Sequence, residues 1–308
     1  MTQPRRHIAG QVVHLSRRCF QRKFFLRPDS FINRVLFYET ARASKRHDQA
    51  VHGAMAMSNH MHQVSTDTTG ERSAYMRDAM REISRARNHN LKRRDSLWDG
   101  RPFGDTVLLD RDTIERKLLY TWLNPVEAGL VRRAEHWPGF KILPKHWGKT
   151  LKIKRPDTYY GRSSPEYVEI TPMPPPGYDD MSLEEVREHF EDLLREAEDD
   201  IRKARRGKKV LGPVRVCRTD PFSCPKTPSQ MGTLSPRFAS KDGELLSRAK
   251  NLHHQFQDAY QRQRVKWMAD KRATFPCGTV QLRRCAPIRC KPPDDDEPGI
   301  FELKRSLG

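Results

Sequence analysis

The sequence predicts an α+β fold: a ferredoxin-like antiparallel sheet with helices on one face, followed by a mainly helical, partly extended C-terminal region. In the first half, short apolar segments with strand alternation and longer segments with helical periodicity follow one another as strand, helix, strand, strand, helix, strand, helix. The second half opens with a Pro-rich stretch and then shows amphipathic helical segments.

Local signals place each element of the first half. Strand patterns fall at residues 6–15, 50–57, 61–66 and 105–110. One helix is capped by Asp29 or Ser30, a second spans 72–92, and a third is capped by Asp112 or Thr113. The sheet and its helices therefore account for most of the first 130 or so residues.

Composition divides the chain into four predicted segments. They are a folded domain at 1–147, a Pro-rich basic linker at 148–180, a mainly helical accessory region at 181–290 and a disordered tail at 291–308. In the accessory region, Ser182 and Glu185 form a capping-box pattern that opens a helix to about Arg206. Apolar spacing predicts a further helix at 243–270.

The charge of the chain favours a polyanionic partner. Lysine and arginine number 58 against 39 aspartates and glutamates, a net charge of +19, and residues 1–150 hold 28 against 15. Nucleic acid is the simplest such partner. Anionic membrane fits less well, because no basic helix with a bulky apolar face stands out. No apolar run approaches the ~20 residues of a membrane span, and no signal peptide is present, so we expect a cytoplasmic, nucleoid-associated protein without a membrane partner.

A His-x-His pair is the first candidate site. His60 and His62 are separated by Met61, so on a strand both imidazoles face the same side and Met61 faces the opposite layer. Two neutral imidazoles in that position can share one divalent metal. The alternative is a pair of surface histidines without a ligand.

The second candidate site lies about sixty residues later. Tyr120 and Asn124 are four residues apart, which places them one turn apart on the same face of the predicted helix. We expect Asn124-Pro125 to interrupt that helix and Gly129 to close its next turn. The alternative is a buried tyrosine in an ordinary amphipathic helix.

Together the motifs resemble a known family. Asn59-His60-Met61-His62, then Leu97-Trp98-Asp99-Gly100-Arg101, then Tyr120 to Val131 with its Asn-Pro-x-x-Ala-Gly-Leu-Val ending, look like the single-tyrosine HUH transposases. The similarity is to the branch associated with repetitive extragenic palindromes, and it covers about residues 5–147. Two departures are Ser58, where the family has proline, and Gln63, which interrupts the apolar strand.

The resemblance implies a transposase that nicks and rejoins single-stranded or hairpin DNA. Tyr120 would be the nucleophile, forming a 5'-phosphotyrosine, and His60, His62 and Asn124 would hold Mg²⁺ or Mn²⁺. Because the covalent link conserves the energy of the phosphodiester bond, no nucleotide cofactor is expected. The family fold is the ferredoxin-like one, and a homodimer is compatible with it.

Basic side chains around these motifs are candidate phosphate contacts. They are Arg17, Arg18, Arg22, Lys23, Arg81, Arg85, Arg87, Lys92, Arg93, Arg94 and Arg101. In the segment 17–25, arginines alternate with phenylalanines, which suits stacking on unpaired bases. The alternatives are a solvated basic face for the arginines and an inward-packed loop for the phenylalanines.

Three other interpretations stay open from the sequence. A replication initiator or a plasmid relaxase would use the same chemistry, and a non-catalytic nucleic-acid-binding protein could keep the fold without the reaction.

The six cysteines contain no Cys-x-x-Cys pair, but Cys277, Cys285 and Cys290 could form a zinc site with Cys217 or Cys224.

Overall fold

The computed structural model describes residues 4–227, 236–292 and 297–300. Its strands are β1 Gln11–Arg18, β2 Gln49–Ala56, β3 His60–Asp67, β4 Gly104–Leu108, β5 Lys141–Ile142, β6 Leu151–Lys154, β7 Tyr167–Ile170, β8 Phe238–Ala239, β9 Thr274–Phe275 and β10 Arg289–Cys290. Its α-helices are α1 Ser30–His47, α2 Arg72–Asn90, α3 Arg111–Glu127, α4 Leu183–Ala204, α5 Pro213–Arg218, α6 Gly243–Asp270 and α7 Val280–Cys285. The fold is mixed α+β, as predicted.

The main sheet has six strands in the order β5-β2-β3-β1-β4-β8. β3 is a central strand, paired antiparallel with β1 on one side and β2 on the other. The sheet departs from the prediction at one edge, where the short strand β8 runs parallel to β4. The central position of β3 fixes its side chains against neighbours on both sides.

Helices cover both faces of the sheet, which corrects the prediction that they lie on one face. Val13 and Leu15 of β1 pack in one core with residues of α1 and α2. Val12 and Val64 face the other way and pack in a second core with Leu118 and Trp122 of α3. The tyrosine helix therefore covers the face opposite α1 and α2, because its own apolar stripe needs a second sheet surface to bury.

Helix caps agree with the sequence in two cases and shift in a third. The Asp29 carboxylate accepts the Ile32 N–H at 2.8 Å and starts α1. Ser182 and Glu185 form the predicted capping box of α4. The cap of α3 is Asp110 rather than Asp112 or Thr113, since its carboxylate accepts the Thr113 N–H at 2.7 Å.

The chain beyond residue 147 packs on the first half. The predicted linker contains an antiparallel hairpin, β6 with β7. α4 places Phe190 against Trp122 and Trp147, with ring centroids 6.0 and 5.1 Å apart. Of the predicted tail, residues 293–296 and 301–308 lie outside the described residues, while Glu297 is buried and ion-paired with Arg6. The predicted division into segments stays a prediction.

Among the residues that the structure describes, no helix combines the length and the apolar character that a membrane span needs.

Candidate active site

The histidine pair lies on the face of β3 that looks toward α3. The β1–β3 register places His60 opposite Arg18 and His62 opposite Ser16. Met61 points to the opposite face, where it is buried in the core formed with α1 and α2. The alternation predicted from the sequence therefore holds, and both imidazoles share one side of the sheet.

α3 brings Tyr120 and Asn124 to the same side. Its buried residues Ile114, Leu118 and Trp122 recur every four positions and press the helix onto the sheet. Tyr120 is 40% exposed, so a substrate can reach it. The prediction that Asn124-Pro125 interrupts the helix is wrong, because α3 runs through Pro125 to Glu127.

The two elements converge. The ring centroids of His62 and Tyr120 are 5.3 Å apart, and those of His60 and His62 are 4.9 Å apart. His60 Nε2 lies 3.3 Å from Asn124 Oδ1. Four side chains from two elements about sixty residues apart in sequence thus meet in one place.

The His60 ring faces two hydrogen-bond acceptors but has only one N–H to donate. Burial lowers the pKa of His60 to about 4, so at neutral pH the ring carries one N–H. Each ring nitrogen nevertheless faces an amide oxygen, Nδ1 at 2.7 Å from Asn59 Oδ1 and Nε2 at 3.3 Å from Asn124 Oδ1. If the proton lies in the shorter contact, the Nε2 lone pair faces the Asn124 oxygen.

Both amides are held in these orientations by their own N–H groups. Asn59 Nδ2 donates to the Arg22 carbonyl at 3.3 Å, and Asn124 Nδ2 donates to the Tyr120 carbonyl at 3.0 Å. Two lone-pair donors facing each other repel unless a cation lies between them. An imidazole nitrogen with an amide oxygen is also a donor set that divalent metals accept, so these residues fit a bound metal ion.

His14 belongs to the same cluster, although no sequence motif singles it out. Its ring stacks on His62 with centroids 5.1 Å apart, and His14 Nε2 lies 3.1 Å from His62 Nδ1. Burial lowers the pKa of His14 to about 3 and that of His62 well below 6.5. With His62 Nδ1 engaged by His14, His62 Nε2 is the nitrogen left for a ligand.

Lys117 is a second residue that sequence reasoning missed. It lies one turn before Tyr120, and its Nζ is 4.8 Å from the Tyr120 ring centroid. Burial lowers its pKa, and Arg116 lowers it further. The only signal in the sequence was the i, i+3 spacing on a helix.

Histidine, cysteine and acidic side chains do not form a metal site by themselves. Across residues 4–227, 236–292 and 297–300, no three or more of them come together in a suitable group. Within the same ranges, Cys277, Cys285 and Cys290 do not come together with Cys217 or Cys224, so the zinc site considered from the sequence is not formed there. A third ligand for the His60–His62 pair must be of another type, and the Asn124 oxygen is the one beside it.

The predicted phosphate-binding residues fall into groups. Arg17, Arg81, Arg85 and Arg101 line a shallow groove of about 560 Å³ beside α2, together with Arg77, which was not predicted. Arg18 faces the other side of the sheet, opposite His60. Exposed or partly exposed positions elsewhere are those of Arg22, Lys23, Lys92, Arg93 and Arg94.

Several of these side chains already have partners within the chain, including Arg81 with Glu82 and Arg101 with Asp99. Arg87 is buried, pairs with Asp29 at 2.8 Å and donates to the Phe25 carbonyl at 2.6 Å, so the prediction that it contacts DNA is wrong. Arg93 stacks over the Phe25 ring at 3.8 Å, and Arg22 donates to the Thr227 carbonyl at 2.6 Å. Phe25 is buried, which favours the inward-packed alternative for that ring.

Comparison with known proteins gives little beyond the geometry. No family model matches the chain, and no curated protein sequence does. Among solved structures, the chain is similar to a REP-associated tyrosine transposase bound to a REP hairpin, at 19% identity over 47% of this chain and 85% of that chain. The TM-score is 0.39, which is too low to support a conclusion about the activity of this chain.

Proposed function

We propose that the protein is a single-tyrosine HUH transposase that nicks and rejoins single-stranded or hairpin DNA. The observation that carries the proposal is the convergence of Tyr120 and Asn124 with His60 and His62, measured by the 5.3 Å and 3.3 Å separations. The strand order and the strand-helix-strand-strand-helix-strand sequence support the ferredoxin-like assignment. The resemblance of the sequence motifs points to the same chemistry.

In the proposed reaction, the Tyr120 oxygen attacks the scissile phosphorus in line with the bond that breaks. A bond forms between the phenolic oxygen and phosphorus, the phosphorus–O3' bond breaks, and the phenolic proton is transferred through solvent to the departing O3'. The products are a 5'-phosphotyrosine and a free 3'-OH, which can attack in reverse to rejoin the strand. Tyr120 is 40% exposed, which supports access of DNA to this residue.

The surrounding side chains have separate roles. Lys117 lies beside the Tyr120 ring, where its positive charge stabilises a developing phenolate. Arg18 lies opposite His60 and would hold a neighbouring phosphate. His60, His62 and Asn124 would hold Mg²⁺ or Mn²⁺, which would supply Lewis-acid stabilisation of charge on the phosphate. No nucleotide cofactor enters the reaction.

The test is formation of a covalent adduct. Full-length protein is incubated with 3'-end-labelled hairpin DNA carrying a single-stranded flank, with Mg²⁺ or Mn²⁺, and denaturing gels detect labelled protein. We expect an adduct that is lost in Tyr120→Phe and in His60→Ala. Tyr167→Phe, which removes the hydroxyl of another exposed tyrosine, is the matched control and should keep the adduct. An adduct that survives Tyr120→Phe, or no adduct from the unmodified chain across a panel of hairpins, would contradict the proposal.

A further inference from the structure

A basic cleft lies where α3 ends against the C-terminal end of α4 and the loop that follows it. Its volume is about 730 Å³. Six side-chain cations and two carboxylates line it, namely Arg132, Arg133, Arg202, Arg205, Lys208 and Lys209 with Glu198 and Asp199. The cations come from two segments about seventy residues apart, so the fold and not a local charge run brings them together. We call this the α3–α4 cleft.

Both carboxylates of the cleft are already engaged. The Glu198 carboxylate accepts the Ala134 N–H at 2.7 Å, and Asp199 pairs with Arg202 at 3.1 Å. Within the described ranges, neither Lys208 nor Lys209 has a side-chain hydrogen bond or an ion pair. The cleft therefore presents cations whose charge the protein does not neutralise.

Arg205 is positioned by the fold and not merely exposed. Its guanidinium lies directly over Gly129, where a Cβ would overlap it. The Leu211 N–H donates to the Gly129 carbonyl at 2.9 Å and thereby ties the loop to the end of α3. Arg205 Nε is buried without a hydrogen-bond partner in the described part of the chain. A held, unpaired guanidinium is the group that binds phosphate oxygens best.

The dipoles of α3 and α4 place partial negative charge at their C-terminal ends, which disfavours an anion in the cleft, but this effect is smaller than that of the side-chain charges. Each helix end carries the equivalent of about half a negative charge, roughly one charge for the two. Six side-chain cations against two carboxylates outweigh that charge. Dipole stabilisation explains a cation in the last turn of α4, such as Arg202, but not a cation like Arg132 that reaches the cleft from another segment.

The cleft is close to the candidate active site along α3. Val126 lines it and lies six residues after Tyr120, a distance of about 9 Å along the helix axis. A single strand a few nucleotides long can therefore reach from Tyr120 to the cleft. We propose that the α3–α4 cleft binds the phosphates of the single-stranded DNA that flanks the scissile phosphate; the position of that phosphate rests on the proposed function, whereas the binding does not.

The experiment measures DNA binding without cleavage. Full-length chains carrying Tyr120→Phe bind a fluorescein-labelled oligo(dT) of about 20 nucleotides, followed by anisotropy across a salt series. Arg205→Gln with Lys208→Gln removes two cations of the cleft. The matched control, Arg195→Gln with Lys203→Gln, removes two cations of α4 that pair with neighbouring aspartates outside the cleft.

Losing two phosphate contacts should reduce the magnitude of the negative slope of log K against log salt by about 1.4, and the affinity by about 25-fold at 0.1 M salt. The control variant should change the salt slope and the affinity by only a small fraction of these amounts. Because loss of Arg205 could disturb the packing over Gly129, a second variant, Lys208→Gln with Lys209→Gln, changes only exposed side chains and should lower the slope by the same amount. A salt slope and affinity equal to the control in both cleft variants would overturn the inference.

The outcome is separable from the adduct test. Normal adduct formation with an unchanged salt slope would remove the cleft and leave the proposed function. A reduced slope with no adduct from the unmodified chain would remove the proposed function and leave the cleft as a DNA-binding site. Binding of oligo(rU) more than about tenfold tighter than oligo(dT) would overturn the choice of DNA.

Discussion

Gly53 lies on β2 beneath α3, and a methyl group there would meet the helix that carries Tyr120. A Cβ at position 53 would lie 2.7 Å from Leu118 Cδ2 and 2.9 Å from Trp122 Nε1. Both side chains are fully buried. Trp122 cannot easily retreat, since its Nε1 donates to the Ile142 carbonyl at 2.7 Å. Gly53→Ala must therefore lift α3 from the sheet or strain the core.

Overpacking a well-packed core by one methyl group costs about 1–3 kcal/mol. With two contacts under 3 Å on a hydrogen-bonded indole, we expect a loss of about 2 kcal/mol in the free energy of unfolding, measured by urea denaturation followed by circular dichroism. Such a loss leaves a typical domain folded. Adduct yield should nevertheless fall severalfold, because lifting α3 moves Tyr120 and Asn124 away from His60.

Gly243→Ala is the control of opposite sign. Gly243 is the first residue of α6, and a Cβ there has nothing within 4 Å. Replacing glycine by alanine at an unstrained helical position stabilises by about 0.4–1 kcal/mol. If Gly53→Ala unfolds at the same urea concentration as the unmodified chain and forms the same amount of adduct, the close packing of α3 on β2 is not what places Tyr120.

Two further predictions concern buried charge. Burial lowers the pKa of His7 to about 3 and that of His52 to about 4, so the unfolded chain binds more protons below pH 6.5 and stability falls as the pH drops. Between pH 6.5 and 5, each histidine should lower the free energy of unfolding by roughly 2 kcal/mol. In His52→Asn, the free energy of unfolding measured by urea denaturation should therefore depend less steeply on pH. Arg87→Leu leaves the Phe25 carbonyl without its donor, while Asp29 keeps Arg27 as a partner, so it should cost about 2 kcal/mol. Arg94→Ala, at an exposed position, should leave the urea midpoint unchanged and weaken DNA binding instead, and equal stability of the two variants would count against a structural Arg87.

Local patterns predicted most elements to within a few residues. The helix predicted at 243–270 coincides with α6, and the strand predicted at 61–66 with β3. The two-sided covering of the sheet could not be read in the same way. Val12 and Val13 are both buried, one in each core, and a strand buried on both faces shows no alternation that assigns its sides.

The candidate site was predictable only where residues share a motif. His60 and His62 occupy neighbouring positions on one face, so their spacing in sequence was enough. His14 reaches His62 only through the register that pairs His14 with Val64, and that register is set by the whole sheet. For Arg87, the sequence misled: its place in a basic run indicated a DNA contact, but the fold buries it against Asp29.

The position of Tyr120 depends on residues far outside its own motif. α3 is packed on one side against the sheet through Leu118 and on the other against Phe190 of α4, with Trp122 in contact with Phe190. The same helix pair forms the α3–α4 cleft at its far end. A force that shifts α4 therefore acts on α3, so DNA bound in the cleft and DNA at Tyr120 would share one mechanical support. In this chain the region beyond residue 147 is thus part of what holds the proposed nucleophile against the histidine pair.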